Sequence, residues 1–188
     1  MSCNVLVIPE DPINNGYILR PLLQAIFNLA GKPRAKIKVL ENPRFTGYDT
    51  AIRSIRLELW KRYSFVDYWI FLPDADRASA AAMQALERDL EQHNVHLFCC
   101  PAQPEVEIYA CVPYRTEMGI PWDQARTHPS FKEDIFEPLL ARHGAPDRAG
   151  KGRDLMIHEA LANPELLLRL CPELQILHDR IAARIASE

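Results

Sequence analysis

Acidic residues stand where three short apolar runs stop. Glu10 follows Val5-Leu6-Val7-Ile8-Pro9, and Asp74 and Asp76 follow Trp69-Ile70-Phe71-Leu72-Pro73. Glu105 and Glu107 come shortly after Val95-His96-Leu97-Phe98-Cys99-Cys100. Carboxylates in such places suit a hard cation. Mg²⁺ is commonly held by one or two carboxylates, with water and phosphate oxygens completing its shell. Only the small Ala75 separates Asp74 from Asp76, so both carboxylates can turn to one side of a strand end and share an ion. The competing explanation is a cap and a first-turn acid for the following helix. Taken alone, Glu10 reads equally well as a solvated acid entering a turn. Glu107 precedes Ile108-Tyr109-Ala110, at a core edge where an acid is expected to be paired or functional, as a fourth metal ligand or a base. Glu105 shares its face if the segment is extended and diverges from it if the segment is helical.

Groups that could grip a phosphate lie nearby in sequence. Between residues 32 and 62 there are nine Lys and Arg residues against three acids, a local excess that suits a phosphate backbone. A solvated helix face and an edge strand protected by lysines explain it equally well. Arg44, in a loop, and Arg77, beside the acidic pair, are the best individual candidates. Gly150-Lys151-Gly152-Arg153 precedes a helical segment and could receive a phosphate through backbone N–H groups, with Lys151 assisting. It lacks the full G-x-x-x-x-G-K-[ST] pattern.

The elements that must position these groups are legible from periodicity. Residues 3–9, 35–40, 66–72 and 95–100 read as strands. Helices are expected after Asn14 or Asn15 as cap, from about Asp49 to Arg62, and over 78–92; Pro21 should kink the first of them or start its regular part. The alternation predicts an α/β fold with a mainly parallel sheet of four strands flanked by helices. Past residue 104 the pattern changes. Residues 105–112 form one short element of undetermined type, and 130–143, 153–162 and 164–186 read as helices. The expected division is an α/β domain over 1–113 and a helical extension over 114–188 packed on it.

With these residues in view, the chain resembles the Toprim domains of topoisomerases, primases and overcoming-lysogenization-defect nucleases, and most of all the small stand-alone bacterial Toprim-like proteins. The matching stretches are V-L-V-I-P-E-D-P with Glu10, W-I-F-L-P-D-A-D-R with Asp74 and Asp76, and E-V-E-I-Y-A with Glu107. The resemblance covers about residues 3–113. It implies a Toprim-like, Rossmann-like sheet, Mg²⁺ or Mn²⁺ held by Glu10, Asp74 and Asp76, and phosphodiester hydrolysis on DNA or RNA. By analogy it implies an ATPase partner in a phage-defence setting. Three positions depart from the family pattern: Asp11 where glycine is frequent, Asn14 where an acid is frequent, and Ser79 where glycine is frequent.

Other classes remain in view. One is a catalytically weak Toprim-like module that docks on a partner protein. Another is a D-x-D nucleotide-sugar transferase, against which the length of 188 residues weighs. A haloacid-dehalogenase phosphatase fits less well, because its acidic pair ends the first strand. The composition is globular, with 48% apolar and 25% charged residues, and the net charge of −3 gives no global basic field. No apolar run reaches the roughly 18 residues of a membrane span, and the opening segment lacks a basic n-region, so a cytoplasmic protein, possible as a homo-oligomer, is expected. The five cysteines form no C-x-x-C and are expected to be reduced thiols in or near the core.

Overall fold

The computed structural model describes residues 2–43, 45, 47–75 and 78–188. Its centre is a sheet of β1 (Asn4–Pro9), β2 (Lys36–Val39), β3 (Tyr68–Leu72) and β4 (Leu97–Cys99). All pairings are parallel, and the order is β2-β1-β3-β4. Sequential strands are therefore joined by crossovers. These contain α1 (Pro12–Leu29), then α2 (Tyr48–Ser54) continuing through a π-turn at Ile55–Leu59 into α3 (Trp60–Arg62), then α4 (Ala80–Glu91).

Alternation along each strand sends side chains to two different apolar clusters. Val5, Val7, Tyr68, Ile70 and Leu72 pack with α1 and with residues from the chain beyond 104. Leu6, Ile8, Trp69 and Phe71 pack instead under Tyr48, Ile55, Leu59, Met83 and Leu86 of the opposite helical layer. Both faces of β1 and β3 are thus covered, which explains why these strands read as unbroken apolar runs.

After β4 a 3₁₀ segment (Val106–Tyr114) leads to α5 (Trp122–Ala125) and a π-turn (Lys132–Phe136) running into α6 (Glu137–His143). A short 3₁₀ turn (Ala149–Gly152) then opens α7 (Arg153–Ala160), followed by α8 (Pro164–Leu170) and α9 (Pro172–Ala186). Phe131, Phe136, Met156, Leu167 and Ile181 from this region share one cluster with β1 and α1.

Several local expectations are corrected. The cap of α1 is Asp11, not Asn14 or Asn15: its carboxylate accepts the Ile13 and Asn14 N–H groups, and Pro12 fills the first helical position. Pro21 lies inside the continuous helix Pro12–Leu29 and does not start its regular part. The segment 164–186 is two helices, because Pro172 pushes Cys171 out of the helical region (φ −124°, ψ 80°) and cannot donate into the preceding turn. The undetermined 105–112 segment is helical, of the 3₁₀ type. No helix among the described residues is long and apolar enough to cross a membrane.

Candidate active site at the carboxyl edge of the sheet

In an open parallel sheet ligands collect beyond the strand carboxyl ends, at the point where strand order reverses. Here that point lies between β1 and β3. Pro9 pairs with Leu72, so Glu10 and Asp74 leave the sheet side by side, one and two residues further on. Both are partly buried. Asp74 is held in line by a parallel bridge to Ala102, with the Ala75 N–H donating to the Ala102 and Pro104 carbonyls at 2.9 and 3.1 Å.

Ser79, not an aspartate, caps α4, its hydroxyl accepting the Ala82 N–H at 3.3 Å, and no acid occupies the first turn of that helix. The capping explanation for Asp74 is thereby removed. Asp76, Arg77 and Arg44 lie outside the described residues.

Asp74 lines a cleft of about 350 Å³ together with Ala75, Gln103, Pro104, Glu105, Arg126 and His128. Arg126 is a strut. Its guanidinium donates to both Glu173 oxygens, at 3.2 and 2.7 Å, and to the Leu170 carbonyl at 3.3 Å. It thereby fixes the cleft wall to α9. The His128 ring accepts the Ser130 N–H on Nδ1 at 3.3 Å, so in its neutral form it carries its proton on Nε2.

The two glutamates after β4 lie around one lysine. Glu107 is 1% exposed, and its Oε1 is 3.2 Å from the Lys132 ammonium. Glu105, at the N-terminal boundary of the 3₁₀ segment, accepts the Lys132 backbone N–H at 3.0 Å. A helical backbone was expected to separate these acids, yet both meet Lys132, one through its side chain and one through its main chain. Burial, then the Glu107 charge, pushes the Glu105 carboxyl up to about 7, with Lys132 pulling the other way. Burial works against the Lys132 charge, but Glu107, Glu105 and Asp11 outweigh it and raise its pKa. At Asp11, burial raises the carboxyl, while hydrogen bonds from Asn14 and Ile13 and the Lys132 charge bring it below its usual value.

The candidate phosphate grips fare differently. Lys151 is exposed on the Ala149–Gly152 turn, but its N–H donates to Arg148 O at 2.8 Å, and the Arg153 N–H donates to Gly150 O. Those two backbone donors are engaged inside the turn, which corrects the expectation that they receive a phosphate. In the basic stretch, Lys32 pairs with Glu188 and Arg56 with Asp89, both at 3.0 Å. Lys38 and Arg62 sit over the Tyr63 ring and Lys61 over Trp60. Lys36 and Lys38 lie on β2, an edge strand, where exposed lysines discourage edge pairing.

The sequence alone does not single out Lys132 and His128. Their only signal was position: Lys132 follows apolar Phe131, and His128-Pro129 marks a loop. The contacts that give them meaning are long-range.

Among the described residues no three His, Cys, Asp or Glu side chains form a group that could hold a metal ion. Glu10 and Asp74 nevertheless fit a hard divalent cation in donor type and placement, since such an ion needs only one or two protein carboxylates. No family model matches the chain, and no curated protein or solved structure matches it.

Proposed function

We propose that the chain is a metal-dependent phosphodiesterase acting on DNA or RNA, a nuclease of the Toprim type. The observation that carries this is the adjacency of Glu10 and Asp74 at the ends of neighbouring central strands, beside a cleft that also contains Glu105. Glu10 and Asp74, with Asp76 two residues on, would hold Mg²⁺ or Mn²⁺. Such an ion, when bound, supplies charge stabilisation to a phosphoryl group.

The chain's own groups supply the rest. Glu105, open to the cleft and poised near neutral pH, takes the proton of the attacking water, and the P–O bond to the leaving oxygen breaks. Glu107 is too buried to meet substrate; it is a positioning residue that holds Lys132. The proton-handling role expected for Glu107 therefore passes to Glu105. His128 lines the same cleft, but its Nε2 lies 3.9 Å from an Asp134 carboxylate oxygen, so the leaving oxygen takes its proton from solvent water. An ATPase partner, a phage-defence role and self-association rest on the family resemblance.

One observation favours a second reading, a weak or inactive module that docks on a partner. Asn14 stands where the family frequently has an acid, and its amide donates to Asp11 at 2.9 Å, so that position is locked into the α1 cap. Incubation with supercoiled, linear and single-stranded nucleic acids plus Mg²⁺ or Mn²⁺ separates the two. Cleavage that disappears in Asp74→Ala/Asp76→Ala supports the nuclease. Cleavage that persists in that variant sinks the site assignment. No cleavage together with no metal-induced thermal shift supports the docking module.

A further inference from the structure

A second cavity, of about 420 Å³, opens on the other side of the β1 end. It is lined by Pro12, Ile13, Gly16, Tyr17 and Arg20 of α1, by Glu41 just after β2, and by Asp154 and His158 of α7. The Asp74 cleft draws on the segments after β3 and β4, whereas this pocket draws on those after β1 and β2. The two flank the Glu10–Asp74 edge. The volume lies within the roughly 300–1,000 Å³ of small-ligand sites.

Its lining is built in a particular way. Pro12, Ile13 and Tyr17 give an apolar and aromatic wall, and Ile13 is 54% exposed although it is a large hydrophobe. The Tyr17 ring is fixed from behind: a Cβ on Gly150 would come within 2.5 Å of it, so only glycine allows that turn to pack there. Gly16 sits inside α1, where glycine costs about 1 kcal/mol relative to alanine. Packing does not require it, since an added Cβ would meet nothing closer than 3.8 Å. Gly16 lines the pocket, and a side chain there would enter the space between α1 and Val39 of β2. Arg20 and Glu41 have opposite charges and no hydrogen bond or ion pair among the described residues. The His158 Nδ1–H is engaged with the Asp154 carbonyl at 2.6 Å, which leaves Nε2 as an acceptor in the neutral ring.

We infer that this pocket binds a nucleotide unit, with the base on the Tyr17–Ile13 wall, an exocyclic amino group on Glu41, and the phosphate on Arg20. An aromatic face beside a free guanidinium and a free carboxylate matches the three chemistries of a nucleotide: π-surface, anion and amino donor. The unit is either a free mononucleotide or the neighbour of the scissile phosphate in a strand laid across the carboxyl edge; the latter source rests on the nuclease reading.

Calorimetric titration of the full chain in Mg²⁺-free buffer tests it, with 5′-AMP, 5′-UMP and single-stranded hexamers as probes. The expected result is AMP binding at least tenfold tighter than UMP. Arg20→Glu and Gly16→Leu should each weaken AMP at least tenfold with the melting temperature retained, and Glu41→Gln should erase the AMP preference. Hexamer binding that exceeds AMP and is lost in the same variants assigns a strand; AMP binding without hexamer binding assigns the free nucleotide. No binding of any probe at millimolar concentration, or binding that all three variants leave unchanged, overturns the pocket. Metal-dependent cleavage that survives Gly16→Leu would then leave the nuclease standing. Nucleotide binding without cleavage retires the nuclease and keeps the pocket.

Discussion

Lys132 and Glu107 meet at 3.2 Å although 25 residues separate them in sequence, and the carboxylate is 1% exposed while the lysine keeps 29% of its side chain in solvent. Removing one partner of such a pair leaves a buried charge uncompensated. Lys132→Met should therefore cost about 2–3 kcal/mol in urea unfolding, less than a fully enclosed pair would. Adding Glu107→Gln should recover most of that loss. If Lys132→Met is neutral, the lysine does not hold Glu107, and its role at the site falls with it.

Glu105 carries a pH signature. Its folded pKa is raised from 4.5 to about 7, so between those values the native state binds more protons than the unfolded chain. Stability is then contributed at low pH and lost as pH rises through about 7. Glu105→Gln keeps an acceptor for the Lys132 N–H and removes the titration. The variant should gain about 1 kcal/mol over the parent at pH 8 and nothing at pH 4, a small value because solvent in the cleft screens the charge. Thermal melts at the two pH values decide it. Under the nuclease reading the same change removes the rise of cleavage rate near neutral pH.

The roles of Asp74 and Ser79 are separable. Ser79→Ala removes the α4 cap and should destabilise by about 1 kcal/mol while leaving any metal-induced thermal shift intact. Asp74→Asn should abolish that shift, because a neutral amide binds Mg²⁺ poorly, without loosening α4. A reversed pattern, with the shift lost in Ser79→Ala and kept in Asp74→Asn, would return the acidic pair to a capping role.

How far these features were legible follows from the range of the interactions. The four strands, their parallel sheet and the flanking helices were legible because both faces of β1 and β3 are buried, which writes apolar runs directly into Val5–Ile8 and Tyr68–Leu72. The placement of Glu10 beside Asp74 is set by the pairing of β1 with β3. The α1 cap was misplaced by three residues or more because Asn and Asp compete for that role, and Pro12, fixed at the first helical position, decides for Asp11. The Glu105–Lys132–Glu107 cluster was not legible at all. A 3₁₀ segment and a π-turn, joined only through tertiary packing, bring it together, and no local spacing encodes that.

The turn at Gly150–Gly152 gives the last prediction. Gly150, Lys151 and Gly152 all have positive φ, at 71°, 55° and 87°. Only Lys151 carries a Cβ in that left-handed region, where a non-glycine residue costs about 1–3 kcal/mol. A Cβ on Gly152 would lie 2.4 Å from the Ala145 nitrogen, and backbone cannot give way. Gly152→Ala should thus destabilise by about 2 kcal/mol or more, whereas Lys151→Gly should be neutral or stabilise by up to about 1 kcal/mol. Lys151 thus sits at a conformational cost while its side chain stays exposed on the turn. If it contacts a phosphate, Lys151→Gly weakens nucleic-acid binding uniformly across sequences and lowers the salt slope by about one. A stabilised variant with an unchanged salt slope would show that Lys151 takes no part in substrate binding.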